Sequence, residues 1–388
     1  MTPTCAGQLL QSQQLPAQVI PVQWMPGGQG VVFTASAGDA TNVWFLPISM
    51  RSYKAQAQAV RLTSGTGRET RPSLAAGFLV FAALSENTNL WRFPIEANRG
   101  RSAGEPRQLT HDAATTGQPS LDRTGTKLTY LSNRSGNQDV WFRDLATGKE
   151  TPITVTTGNE FRVRISRRGD RVAYSLGNAS YVSSTTGGAP ETLCNNCDLR
   201  IRHWSADDSK LLYQTGFPWR LLSFDFAGRK SVEMARHAEI GIYSSQYSPD
   251  DRWVAFNGIG RGVSRVYVAP AKPGVEFDAW IPVSDDKGWK DKPNWSPDGN
   301  LIYYFSDEDG YRCLFARRLD PVSKRPQGAS FGVRHSHEAR QSILNVPLAW
   351  LELAIAESHF VTVLGERTGN IWMKPLESRW RALEKSGL

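Results

Sequence analysis

The chain has 388 residues, and its 45 basic against 37 acidic side chains give a formal charge of +8. A hydrophobic fraction of 40% with 34 Gly, 22 Pro and 13 Trp suits a turn-dense β protein and excludes both a helical bundle and a disordered chain. No run approaches the roughly 18 apolar residues of a membrane-spanning helix, and residues 1–14 lack the basic and apolar regions of a secretory leader.

Taken in order, one unit recurs along the chain: a strand, a tight turn, a second strand, another turn and a third strand. The first copy reads V-Q-W-M-P-G-G-Q-G-V-V-F from Val22, with T-N-V-W-F-L-P ending at Pro47. A second runs from Arg71 to Pro94, a third from Gln118 to Leu145, and a degraded fourth starts at Arg162. The fifth starts at Arg202, the sixth at Gln246 and the seventh at Lys292, and an eighth with a blurred turn spans Leu351 to Leu376. Their turn positions are Gly28, Gly77, Gly125, Gly169, Asp208, Asp251, Gly299 and Ser358. Most are about 40–50 residues apart, the period of a four-stranded propeller blade. Short tails supply the fourth strand: V-R-L-T at Val60, R-Q-L-T at Arg107, T-P-I-T at Thr151, E-T-L-C at Glu191 and I-P-V-S at Ile281.

These repeats predict an all-β, eight-bladed β-propeller of four-stranded antiparallel blades, with seven blades as the alternative if the fourth or eighth copy is absorbed. A single domain over residues 1–388 is expected. Residues 1–19 contribute a closing strand at 7–10. Residues 377–388 form a C-terminal tail or an outer strand, and the stretch from Arg379 is a competing closer.

The S-P-D-G turn at Ser296 and the S-P-D-D turn at Ser248, followed by I-Y-Y-F and V-A-F, resemble the Pro-Asp repeats of TolB-type, WD-like propellers. The second half adds F-P-W-R-L-L-S-F-D at Phe217, Y-R-C-L-F-A-R-R-L-D-P at Tyr311, R-T-G-N-I-W-M at Arg367 and L-C-N-N-C-D-L-R at Leu193. These stretches are similar to the C-terminal propeller of bacterial membrane-tethered serine/threonine kinases and winged-helix regulators. The resemblance covers nearly the whole chain. It implies a non-catalytic domain that binds a ligand or protein, or senses one, within a bacterial signalling assembly. It also implies a periplasmic or extracytoplasmic place if the chain is part of a membrane-tethered protein, and a cytoplasmic one otherwise. No kinase catalytic loop or winged-helix segment is present in these residues, so neither activity carries over.

Residues with chemistry of their own are few. Cys194 and Cys197 flank two asparagines, a spacing open to a disulfide, to a pair of free thiols, or to redox or metal function. Cys5 and Cys313 stand alone, so no second pair completes a four-ligand zinc set. His335 and His337 with Glu338 read as part of a polar connection rather than a metal-binding arm. Asp122, Asp250 and Asp298 sit in separate turns and read as caps of their own backbone, not as calcium ligands. No nucleophile elbow or phosphate loop occurs. The sequence therefore predicts no catalytic residue, no cofactor and no metal. The alternative is a propeller enzyme, such as a lyase or glycosidase, with a polar site at the channel mouth.

The basic clusters at Arg162 and Arg164, Arg167 and Arg168, Arg317 and Arg318, and Lys324 and Arg325 fall in different repeats and read as a diffuse solvated excess. Such an excess favours an acidic protein or peptide partner over nucleic acid. Specificity is expected in the connections 96–105 and 322–342, since loops on a rigid scaffold carry recognition. Trp44, Trp91, Trp141 and Trp372 recur at the third-strand position, where packing between blades explains the period.

Overall fold

The computed structural model describes residues 18–25, 28–37, 40–75, 77–197 and 199–376. Both expected ring-closing segments, residues 7–10 and the stretch from Arg379, lie outside the described residues. Apart from two single-turn 3-10 helices, the described secondary structure is all β. No helix among the described residues is long and apolar enough to cross a membrane. The described residues divide into two compact units, one within 87–366 and the other drawn from 18–86 and 367–376.

Within residues 87–366, five sheets of four antiparallel strands follow one another along the chain. Blade one comprises Thr116–Leu121, Lys127–Ser132, Asp139–Asp144 and Glu150–Pro152. The innermost strands of blades two to five are Glu160–Ile165, Arg200–Trp204, Gly241–Tyr247 and Lys290–Trp295. Their first hairpins turn where the sequence marks them. Gly125, Gly169, Asp208, Asp251 and Gly299 have φ between 57° and 72°, a region open to glycine and tolerated by aspartate. Each turn residue donates its N–H to the carbonyl three positions back, at 2.9–3.1 Å.

The threonine or serine that ends a tail also has a defined task. Thr110, Thr154 and Ser284 accept the third-strand N–H groups of Leu90, Val140 and Val266 at 3.0, 2.8 and 2.9 Å. A short outer strand therefore ends on a side chain that occupies a donor otherwise left open at the sheet edge.

A sixth blade in this unit is assembled from distant parts of the chain. Its inner strand is Leu353–Ile355, followed outward by residues 359–366, residues 87–96 and Arg107–Gln108. Ile95 and Ala97 donate their N–H groups to Ser358 and Glu357 at 3.0 and 3.1 Å, and the rings of Phe93 and Phe360 stack at 4.6 Å. Leu353–Ile355 lies against the inner strands of blades one and five, and every other inner strand lies against the next. Six inner strands of the described residues thus close around one axis. The largest apolar core packs blade five, the composite blade and blade one together, through Tyr303, Phe305, Phe360, Leu90, Leu128 and Tyr130.

This arrangement corrects the expected eight separate blades. In the second and eighth repeats the first hairpin forms, but the expected second and third strands do not fold back on each other; they run straight through as Phe78–Glu96 and His359–Pro375. The reason is tertiary: the two long strands pair with each other from distant parts of the chain. Both strands are continuous, and no residue from 78 to 99 or from 359 to 375 takes a positive φ. At Gly365 a Cβ would lie 2.7 Å from the carbonyl oxygen of Asn345, so this glycine serves close approach and not a turn. In the other unit, Gln18–Trp24, Gly30–Ala37, Ala40–Pro47 and Val60–Arg61 form a blade-like antiparallel set. Its core gathers Val32, Val43, Phe45, Leu74 and Leu79. Trp91 and Trp141 pack against the core shared between blades, Trp44 packs against its own sheet, and Trp372 is 55% exposed.

Candidate functional site

Blades one, two, four and five each carry a β-bulge in the inner strand, four residues before the serine or aspartate that opens the turn. At these bulges Gln118, Arg162, Ser244 and Lys292 occupy the left-handed region, with φ of 51°, 61°, 49° and 55°. Such a conformation costs a non-glycine residue on the order of 1–3 kcal/mol and is retained where it re-aims a side chain. All four line one cavity of about 510 Å³ at the mouth of the channel. The inner strand of blade three has a register shift between Ile201 and His203, with the buried Ile201 at the equivalent position.

Among the described residues, five cationic side chains, Arg162, Arg164, Arg200, Arg202 and Lys292, line this cavity together with the carboxylates of Asp291 and Glu352. Glu352 is the electrostatic hub. One of its oxygens lies 2.7 Å from Arg164 Nη2, 3.2 Å from Lys292 Nζ and 3.9 Å from Arg202 Nη1. Burial alone would push this carboxyl up, but Arg164, Lys292 and Arg202 outweigh it and hold the group at about 2. Burial also lowers Arg202 to about 10, against the pull of Glu352. Arg164 is locked by bonds from Nε to the Arg202 carbonyl and from Nη1 to the Val163 carbonyl, both at 2.7 Å.

The outer cations are placed by aromatic faces and by the bulges. Arg200 lies 3.6 Å over the Trp219 ring, and Arg162 lies 4.8 Å over Phe161 while donating to the Leu199 carbonyl at 3.0 Å. Gln118 ties blade one to its neighbours: its side-chain oxygen accepts from Arg162 N at 2.6 Å and its Nε2 donates to the Ala349 carbonyl at 2.8 Å. Ser244 Oγ donates to Asp291 at 2.7 Å. Trp289 also lines the mouth. The arrangement presents fixed cations beside aromatic surface, a surface suited to a carboxylate or another oxyanion.

For Arg162, Arg164 and Arg167 the reading as a diffuse excess is therefore corrected, whereas Arg168, Arg317, Arg318, Lys324 and Arg325 do not line the channel. Inner strands of adjacent blades converge on the axis, so arginines far apart in the chain meet at one mouth. Below them, Arg164, Arg167, His203, Gln246, Asn294 and Glu352 line the narrow continuation of the channel. Burial holds His203 well below the ordinary imidazole value, helped by Arg167 and Arg164, so it is neutral at pH 7.

The residues singled out in the sequence lie elsewhere. The sulfurs of Cys194 and Cys197 are 2.22 Å apart across the Asn195-Asn196 turn, away from the channel mouth. Cys313 is buried in blade five, and in the absence of a cation beside it burial pushes its thiol up to about 11. His335 and His337 also belong to blade five and face Asp309 rather than Glu338. Within the connection 322–342, Pro326–Arg334 forms the outer strand of blade five.

No protein-family model and no curated protein matches the sequence. Among solved structures, the putative TolB from Agrobacterium tumefaciens superposes with a TM-score of 0.55 at 17% identity, covering 72% of this chain and 98% of that one. The fold is that of a TolB-type β-propeller. TolB from Acinetobacter baumannii is also similar, with a TM-score of 0.49, 14% identity and coverage of 76% and 79%. Oligogalacturonate lyase in complex with manganese has a TM-score of 0.45, 17% identity and coverage of 79% and 92%.

In this TolB-type propeller the Pro-Asp turns are structural joints. Asp122 accepts the N–H groups of Thr126 and Lys127 at 2.9 and 2.8 Å, and Asp298 accepts from Ser296 Oγ at 2.6 Å and Asn300 N at 3.0 Å. Asp208 and Asp251 reach further and accept backbone N–H groups of Arg167 and Ala206 in the preceding blade. Replacing Asp298 by alanine is accordingly expected to cost about 0.5–2 kcal/mol, the loss of a local cap. Urea denaturation checks the cost, and unchanged ligand affinity in the same variant checks that the turn is not a site.

Proposed function

We propose that the chain works by binding, with the channel mouth of residues 87–366 taking the carboxylates of an acidic peptide or protein segment. The observation that carries this reading is the convergence of Arg162, Arg164, Arg200, Arg202 and Lys292 on one cavity. Glu352 engages the inner cations, and Arg162 and Arg200 stand at the aromatic-lined rim. The four bulged, left-handed residues Gln118, Arg162, Ser244 and Lys292 support a recognition surface held in place by the scaffold. A sensing role in a bacterial signalling assembly, as the kinase and regulator propellers suggest, is part of the same proposal.

The test is a titration of the purified chain with a hexaglutamate peptide, read by isothermal calorimetry at low and high salt. Binding is expected at low ionic strength and is expected to weaken as salt screens the mouth. The double variant Arg162→Asn and Arg200→Ala, with asparagine chosen to tolerate the left-handed φ at position 162, should bind about tenfold or more weakly, since a charge-assisted hydrogen bond contributes roughly 1.5–3 kcal/mol. Its thermal unfolding should stay near that of the parent. Peptide affinity unaffected by the double variant would overturn the reading. Turnover of a uronate oligosaccharide that is lost in the same variant would replace it with the lyase alternative.

A further inference from the structure

Blade five carries a second constellation, independent of the channel. The Asp309 carboxylate sits in the turn after Leu301–Ser306, Cys313 is the first residue of strand Cys313–Leu319, and His335 and His337 follow the outer strand Pro326–Arg334. The pairing of Leu314 with Arg334 brings the two strand ends side by side. His335 Nδ1 lies 3.3 Å and His337 Nε2 3.0 Å from the same Asp309 oxygen. One ligand atom from each of the four residues falls within 4.8 Å of all the others.

We propose that Asp309, Cys313, His335 and His337 form a tetrahedral zinc site that clamps the end of the outer strand to the Asp309 turn. Zinc bonds of about 2.0–2.3 Å to oxygen, nitrogen and sulfur require ligand atoms about 3.3–3.8 Å apart, so the side chains need to close by only about 1 Å. One thiolate with two imidazoles and one carboxylate selects zinc over calcium or magnesium, which take oxygen ligands. Four protein ligands make a closed, structural site.

The surroundings fit this assignment. Ser336 N donates to Cys313 Sγ at 3.3 Å, the kind of bond that steadies a metal-bound thiolate. The His335 ring lies over Gly332, where a Cβ would sit 2.6 Å from its Nε2, so this glycine leaves room for the imidazole to turn Nδ1 toward Asp309. Tyr311 stacks on His337 at 4.3 Å and fixes that ring. Cys313 is fully buried, whereas the side chains of His335, His337 and Asp309 are 57%, 48% and 27% exposed, which leaves an open path for metal entry.

The experiment is a cobalt titration of the chelator-treated full chain. One equivalent should bind, with a near-ultraviolet thiolate-to-cobalt charge-transfer band and intense tetrahedral visible bands, and zinc should displace the cobalt. The spectrum should persist in Cys5→Ser and in the double variant Cys194→Ser and Cys197→Ser, and should lose its charge-transfer band in Cys313→Ser. Because Cys313 is buried, the surface variant His337→Ala provides a folded control: it should keep the parent's circular dichroism but lose tight uptake and the zinc-dependent rise in melting temperature. Absence of stoichiometric cobalt uptake would overturn the proposal. So would a charge-transfer band that survives Cys313→Ser and disappears with Cys194 and Cys197.

Discussion

Replacing Glu352 by glutamine is expected to destabilise the propeller by about 3–5 kcal/mol, the effect of removing one partner from a buried ion pair. The glutamine keeps the shape but leaves Arg164, Lys292 and Arg202 facing one another without a compensating charge, at a position only 7% exposed. Equilibrium urea unfolding of parent and variant measures the difference, and a loss below about 1 kcal/mol would mean that solvent already screens the cluster. The pH dependence adds a second signature. Glu352 titrates at about 2 in the folded chain against its ordinary 4.5, so its folded value is depressed. Its contribution is present above the unfolded value and is lost as pH falls through about 4.5 toward about 2. The gap between parent and Glu352→Gln should therefore be full at pH 7 and shrink on acidification. A gap that is constant from pH 6 to 2 would count against the assigned charge state.

Truncating Phe360 to alanine should cost about 3–5 kcal/mol, the range for a fully buried aromatic ring. Phe360 is 1% exposed and stacks on Phe93 with an interplanar angle of 7°. The two rings come from the C-terminal and N-terminal contributions to the composite blade, so their contact reports on the closure of the ring itself. A double-mutant cycle with Phe93→Ala should show a coupling of about 0.5–1.5 kcal/mol beyond independent losses. Strict additivity, or a loss under about 1 kcal/mol for Phe360→Ala alone, would mean that these segments do not pair as described.

Blades one to five were legible because their determinants are local. A tight turn demands a residue that accepts positive φ, and Gly125, Gly169, Asp208, Asp251 and Gly299 supply it at a steady period. The tails ending at Thr110, Thr154 and Ser284 are readable for a similar reason, since one hydroxyl must occupy a third-strand N–H. The Asp122 and Asp298 caps involve only neighbours within a few residues. In each case the chemistry is complete inside a short window of chain, so composition and spacing suffice to predict it.

The course of the second and eighth repeats was decided by tertiary pairing. Residues 78–96 and 359–375 carry the strand signal, but nothing in either stretch dictates a reversal, and the partner each strand takes depends on how the ring closes. The basic mouth was hidden for a related reason. Arg162, Arg200 and Lys292 become neighbours only when the inner strands gather around the axis and bulges rotate chosen side chains into it. A faint signal was present in the recurrence of Gln118, Arg162, Ser244 and Lys292 four residues before each turn opening, yet no local rule distinguishes a bulge there from regular strand. Likewise Cys313 reads as a solitary strand residue, because His335 and His337 reach it only through the pairing of Cys313–Leu319 with the outer strand. Backbone turns are settled by the torsional limits of single residues, whereas a site is settled by which strands lie side by side, and that is a property of the closed sheet assembly.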